Sequence, residues 1–254
     1  MLRSRIIPCL LIQNGGLIKT RRFKDAKYVG DPLNAVKIFN EKKVDELMVL
    51  DIDATAQGRA PSFSLLKGLA VESRMPLCYG GGITSAQQAI QIIASGFEKI
   101  STSAAALTRP TLIREMAEAV GSQSVVVTLD VKKNTFRSGY TIYTRNGLDK
   151  RSADLLEFCQ QAVELGAGEI VINSIDRDGE MGGYDLELAR RVRETITSPL
   201  SMLGGAGSVD HMQALIDSIG VVGAAASSMF VFKGPYRAVL ISYSRPSRLL
   251  QHPQ

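Results

Sequence analysis

The sequence predicts one α/β barrel of eight parallel strands, a (β/α)8 TIM barrel with a twofold half-barrel repeat. Three observations carry that prediction. The 254 residues match the roughly 250 typical of such a barrel. Short, apolar, β-branched runs alternate with helical patterns from end to end, as parallel strands joined by crossover helices require. The chain also repeats itself at about half its length.

The strands read, in order, "RIIPCLLI", "ELMVLDID", "PLCYG", "KISTS", "SVVVTLDV", "EIVINSID", "PLSMLGG" and "VGAAA". Between them lie helical patterns such as "PLNAVKIFNEKK" and "SAQQAIQIIASG". Their apolar residues recur at three- and four-residue spacing. No linker or low-complexity segment interrupts the series, so one barrel is expected over 1–254, with halves at about 1–122 and 123–245. The longest irregular piece follows the fifth strand, and its "YTIYTRNG" portion reads as a hairpin. The repeat aligns "ELMVLDIDATAQG" with "EIVINSIDRDGEMG", and "YGGGITSAQQAIQII" with "LGGAGSVDHMQALI". So long a period describes two half-barrels rather than a solenoid.

Composition excludes several function classes. With 45% hydrophobic and 22% charged residues, the chain is of ordinary globular type. No apolar run reaches the ~20 residues of a membrane span, and "IIPCLLI" is too short for a signal peptide. Cys9, Cys78 and Cys159 show no CxxC spacing and read as reduced, buried thiols of a cytoplasmic protein. His211 and His252 are the only histidines, so neither a histidine-rich metal site nor a Ser-His-Asp triad is expected; separately, no cofactor is expected. Both are expected at the surface. The net charge is +5, concentrated in "KTRRFKDAKY" (Lys19 to Tyr28). No nucleic-acid fold motif accompanies that stretch, which reads as a mobile loop handling a phosphorylated small molecule.

The site candidates sit at strand ends. "GGGITS", with Gly81 and Gly82, and "GGAGSVD", with Gly204 and Gly205, each follow a strand and open a helix. Glycines admit a ligand to the backbone, and the helix's first amides face an anion. Two such loops in symmetric positions suggest a substrate with a phosphate at each end. Ser103, Ser227 and Ser228 end the following strands and would add hydroxyls. Lys19, Asp176 and Gly179 fall on neighbouring loops.

Asp130 ends the fifth strand, where a barrel carboxylate faces the active-site mouth; its alternative is a salt bridge to Lys132 or Lys19. Asp51, Asp53, Asp176 and Asp178 end other strands. At the opposite ends stand Arg5, Glu46, Lys99 and Glu169, each directly before an apolar run, on the first, second, fourth and sixth strands. They are either four separate surface charges or one ring of paired charges closing the barrel floor, and the symmetry favours the ring.

These stretches resemble the HisF family, the cyclase subunit of imidazole glycerol phosphate synthase. The resemblance rests on "RIIPCL", "GDP", "DELMVLDIDA", "GGGI", "EKIS", "LGAGEI", "SIDRDG", "GYDLEL" and "GGAGS" in register. It implies a HisH-like glutaminase docked at the barrel floor, its ammonia passing a charged gate that matches Arg5, Glu46, Lys99 and Glu169. The family's cyclisation uses two aspartates; the second matches Asp130, while the first falls on Leu11. Ser103 and Asn173 also depart from the family's asparagine and threonine. A leucine cannot exchange a proton, so the acid–base pair is broken.

"IIPCLLI", "GLIKT", "YVGDP" and "PLCYGGGI" are similar to a side branch, the acetamidino modification proteins. That branch implies a sugar amidotransferase as a further partner and a polysaccharide sugar as the final acceptor. The alternatives are the histidine-pathway cyclase itself, or a scaffold without chemistry.

Overall fold

The computed structural model describes residues 3–135 and 138–246, so His252 lies outside the described residues. All eight expected strands are present. They are β1 (Arg5–Gln13), β2 (Leu47–Asp51), β3 (Leu77–Gly80), β4 (Lys99–Thr102), β5 (Val125–Lys133), β6 (Glu169–Ser174), β7 (Leu200–Leu203) and β8 (Gly223–Ala226). Each pairs in parallel with the next. β8 returns to β1 from Arg5↔Gly223 to Pro8↔Ala226, which closes the barrel.

The crossovers are α1 (Pro32–Glu41), α2 (Phe63–Glu72), α3 (Ala86–Ala94), α4 (Thr111–Val120), α5 (Leu155–Glu164), α6 (Leu186–Thr195) and α7 (Val209–Ile219). Short polar residues start them. Asp31 accepts from Asn34 N at 2.9 Å to cap α1, whose first residue is Pro32, the position where a missing N–H costs nothing. Ser85 and Ser208 cap α3 and α7 alike, each at 3.3 Å. The eighth crossover departs from the expected pattern. Only the single turn Ser228–Val231 follows β8, because Gly234 and Pro235 cannot extend a helix. The chain continues as a ribbon, Phe232–Lys233 against Ala238–Val239. Tyr243 then stacks near Phe230 (centroids 5.5 Å apart) and donates to the Ile6 carbonyl at 3.3 Å.

Strand alternation divides the apolar residues into two sets. One set, including Ile6, Leu10, Val49, Tyr79 and Val127, packs between sheet and helices. The other, Ile7, Cys9, Leu11, Met48, Cys78, Val126, Val171, Leu203 and Ala225, fills the barrel interior.

Two excursions rise from the C-terminal end. The expected hairpin after β5 is present: Tyr140–Thr144 pairs back on β5 and carries the short strand Asp149–Lys150. The basic stretch after β1 is a second hairpin, not a mobile loop. Gly16–Arg21 pairs with β1 (Leu11↔Ile18) and with Lys24–Gly30. The alternation was hidden because its buried positions include Lys19 and Thr20, both under 8% exposed, which are held there by a carboxylate.

Candidate functional site

The mouth of the barrel holds a cavity of about 230 Å³, lined by Leu11, Lys19, Gly81, Gly82, Ser103, Asp130, Asn173, Asp178 and Ser227 among others. Asp130 lies beside Asn173 in register on β6, and Asn173 Nδ2 donates to its Oδ1 at 2.8 Å. Neither Lys132 nor Lys19 is its partner: Lys132 lies over the Tyr143 ring at 4.7 Å. Burial raises the Asp130 carboxyl to about 7, against the lowering effect of the Asn173 hydrogen bond. Such a group exchanges protons near neutrality.

Lys19 pairs instead with the buried Asp178. Thr20 Oγ1 donates to the same carboxylate at 2.8 Å, and Arg22 N donates to the Asp178 carbonyl at 2.9 Å. Outside, Arg21 and Arg22 hold Glu180 at 2.8 and 2.7 Å. Asp178 thus pins the first hairpin over the mouth, and a Cβ on Gly179 would strike the Thr20 carbonyl oxygen. Asp176, expected at the site, turns away from it: its carboxylate accepts from Lys133 N at 2.9 Å on the exposed rim. The residue carrying that position is Asp178, two further along the same loop. Asp51 caps the Ile52–Ala56 turn, and Asp53 accepts from Asn14 N at 2.8 Å, so both support loops.

Both glycine loops place two successive glycines at positive φ. Gly81 and Gly82 have φ of 122° and 70°, and Gly204 and Gly205 have φ of 93° and 107°. A Cβ on Gly82 would meet the Arg59 carbonyl, and one on Gly205 the Gly183 carbonyl, so close packing alone demands glycine at both. Ser103 and Ser227 also share a backbone conformation (φ −138°, ψ −86°; φ −120°, ψ −66°). Each begins a short turn without a side-chain cap, so the turn's first amides have no partner from that side chain. Ser227 lines the cavity. Ser228 is not among its lining residues, and its Oγ is buried with no hydrogen-bond partner among the described residues. His211 is half-buried rather than superficial, and its Nδ1 accepts from Gly207 N at 3.1 Å, bracing the second loop.

At the barrel floor the four charges close into one ring. Arg5 bridges Glu46 and, at 2.7 Å, Glu169. Lys99 bridges the same two carboxylates at 2.9 and 2.8 Å. Ser201 Oγ donates to Glu169 as well. Burial would raise Glu169, but Arg5 and Lys99 outweigh it and hold its carboxyl at about 2. Between floor and mouth, Ser101 and Thr128 share a buried hydrogen bond at 2.6 Å. Cys9 is no nucleophile: burial pushes its thiol up to about 12. Among the described residues no cluster of His, Cys, Asp or Glu is placed to hold a metal, and no helix is long and apolar enough to cross a membrane.

A family model described as "Histidine biosynthesis protein" matches residues 5–236. A Vibrio vulnificus protein provisionally named imidazole glycerol phosphate synthase subunit hisF3 is 54% identical over 247 residues, 97% of this chain and 95% of the relative. A Leptospira interrogans protein, provisionally named a HisF subunit of the same synthase, is 51% identical over 243 residues, 96% of each chain. The imidazole glycerol phosphate synthase subunit HisF of Thermobifida fusca is 37% identical over 235 residues, 91% of each chain. With matches of this extent, the chain belongs to the histidine biosynthesis protein family, within its HisF group.

Proposed function

We propose that this chain is the barrel subunit of a glutamine-dependent complex. A HisH-like glutaminase docks at the floor, and its ammonia enters through the ring of Arg5, Glu46, Lys99 and Glu169. It travels up the interior past Ser101 and Thr128 to the mouth. There a phosphorylated ligand is held by the glycine loops, with Ser103 and Ser227, while Asp130 exchanges protons. The final acceptor in this reading is a surface-polysaccharide sugar, converted to its acetamidino form by a partner amidotransferase.

The observation that carries the reading is Leu11. The ring is complete and Asp130 is in place, yet the position of the family's other acid is apolar and is packed against Ile18 and Leu50. A lone carboxyl cannot act as acid and base on opposite sides of one substrate. The second reading is the histidine-pathway cyclase. It is favoured by the names of the relatives and by a carboxyl at about 7 still open to the cavity.

Complementation of a cyclase-deficient histidine auxotroph separates the two. The expected outcome is no growth, together with glutaminase stimulation when the purified chain is mixed with a HisH-like protein. Growth at the rate given by an authentic cyclase would assign the chain to histidine synthesis.

A further inference from the structure

A second cavity lies on the flank of the barrel, outside the mouth. It measures about 540 Å³ and is bounded by the hairpin after β5 and by the starts of α5 and α6. Its floor is apolar, with Leu155 and Leu188 at most 3% exposed. The charged residues lining it are Lys150, Arg151, Arg191 and Asp154, three cations against one carboxylate.

Four carboxylates near the cavity already have hydrogen-bond or ion-pair partners, although Glu187 also feels the Arg191 charge. Asp154 caps α5, accepting from Leu156 N and Glu157 N at 2.9 and 3.1 Å. Asp185 accepts from Tyr140 Oη and from Leu188 N, both at 3.1 Å. Glu187 pairs with Lys133 at 2.7 Å, and Asp149 with Arg145 at 3.5 Å. Arg151 donates to the neutral Thr108 hydroxyl at 2.8 Å, and Arg191 lies 6.0 Å from the Tyr140 ring centre. Lys150, Arg151 and Arg191 therefore have no ion pair within 4 Å among the described residues, and all three line one groove.

Guanidinium groups present planar, paired donors suited to phosphate oxygens. A groove of several hundred Å³ with an apolar floor accommodates a whole small molecule rather than a bare ion. We infer that this flank groove binds a phosphate-bearing small molecule, its anionic end on Arg151, Arg191 and Lys150 and its less polar part against Leu155, Leu188 and Tyr140. The site is separate from the two glycine loops and does not depend on the function proposed for the mouth.

The test uses inorganic pyrophosphate as the probe, with amide NMR on the full chain. Titration is expected to shift Tyr140, Thr141, Ser152 and Leu155. The pair Lys150→Gln and Arg191→Gln should weaken that binding by about tenfold or more and leave shifts at Gly82 and Gly205 unchanged. Arg191→Lys, which keeps the charge but loses the fork, should fall in between. Shifts confined to the mouth amides would overturn the proposal. So would groove shifts that persist unchanged in the double variant while circular dichroism shows it folded.

Discussion

Asp130 and Asn173 stand side by side across β5 and β6, joined by a hydrogen bond of 2.8 Å. Their half-barrel counterparts, Leu11 and Leu50, stand side by side across β1 and β2 in the same way. The internal repeat thus puts a hydrogen-bonding pair at one pole of the mouth and an apolar pair at the other.

The polar pole gives a pH signature. Burial leaves Asp130 at about 7, above the unfolded aspartate value of about 3.9, so the folded chain binds that proton more tightly. Asp130 therefore disfavours folding progressively as pH rises from about 4 to about 7. Asp130→Asn is expected to raise Tm at pH 8, by about 1 kcal/mol or more in stability, and to change little at pH 4. Thermal unfolding at the two pH values checks this; equal effects at both would contradict it.

The floor ring has the opposite dependence. Glu169 is held at about 2, below the unfolded glutamate value of about 4.3, so its stabilising contribution is present above that value and lost as pH falls towards 2. Glu169→Gln should remove this acid limb. Because it leaves Arg5 and Lys99 with one carboxylate between them, it should cost about 3–5 kcal/mol at neutral pH. Urea unfolding across pH reads both effects.

At the apolar pole, Leu11→Asp restores a carboxylate across the mouth from Asp130. Its desolvated setting raises the new group's pKa, so only partial cyclisation of the histidine-pathway substrate is expected. Positioned acid–base groups contribute about 10²–10⁴-fold, and Leu11→Asp with Asp130→Asn should return to background. Product formation by native chain, single and double variants decides it. Strong activity in the native chain would remove Leu11 as the obstacle.

Asp178 should matter more than Asp176. Asp178→Ala strands Lys19 without its buried partner and frees the first hairpin, so trypsin should cut after Arg21, Arg22 or Lys24 far sooner than in the native chain. Asp176→Ala, which loses one hydrogen bond on the exposed rim, should leave the digestion rate nearly unchanged.

The glycine loops are expected to hold anions. Sulfate or phosphate should occupy positions beside Gly82 with Ser103 and beside Gly205 with Ser227 in crystals grown with either salt. Gly82→Ala and Gly205→Ala should each destabilise the chain by about 1–3 kcal/mol, since both combine positive φ with a backbone clash.

The eight strands were legible because apolar runs announce themselves at each end, and the ring because a charge directly precedes the first, second, fourth and sixth runs. The first hairpin was not, since Lys19 and Thr20 look solvated until Asp178, more than 150 residues away in sequence, is seen to bury with them. The choice between Asp176 and Asp178 had the same difficulty: they share a loop and a residue type, and the turn alone decides which faces inward. Of the two serines expected beside the second loop, Ser227 lines the cavity and Ser228 begins the short turn after it. The flank groove had no signal at all, as its cations come from separate elements and its definition rests on where the local carboxylates are already engaged.

Two residues above the floor ring, on the same strands, the inward positions are Ile7, Met48, Ser101 and Val171. Three of the four are hydrocarbon or thioether, and with Cys78 and Val126 they form an apolar collar. An ion entering that collar would shed water and find no countercharge, a penalty of several kcal/mol per charge. A small neutral base would meet no such barrier. On the proposed ammonia route, the collar would admit the neutral base, and an ammonium ion would have to give up its proton before entering. Delivery through this barrel would then slow as the surroundings acidify, whatever chemistry waits above.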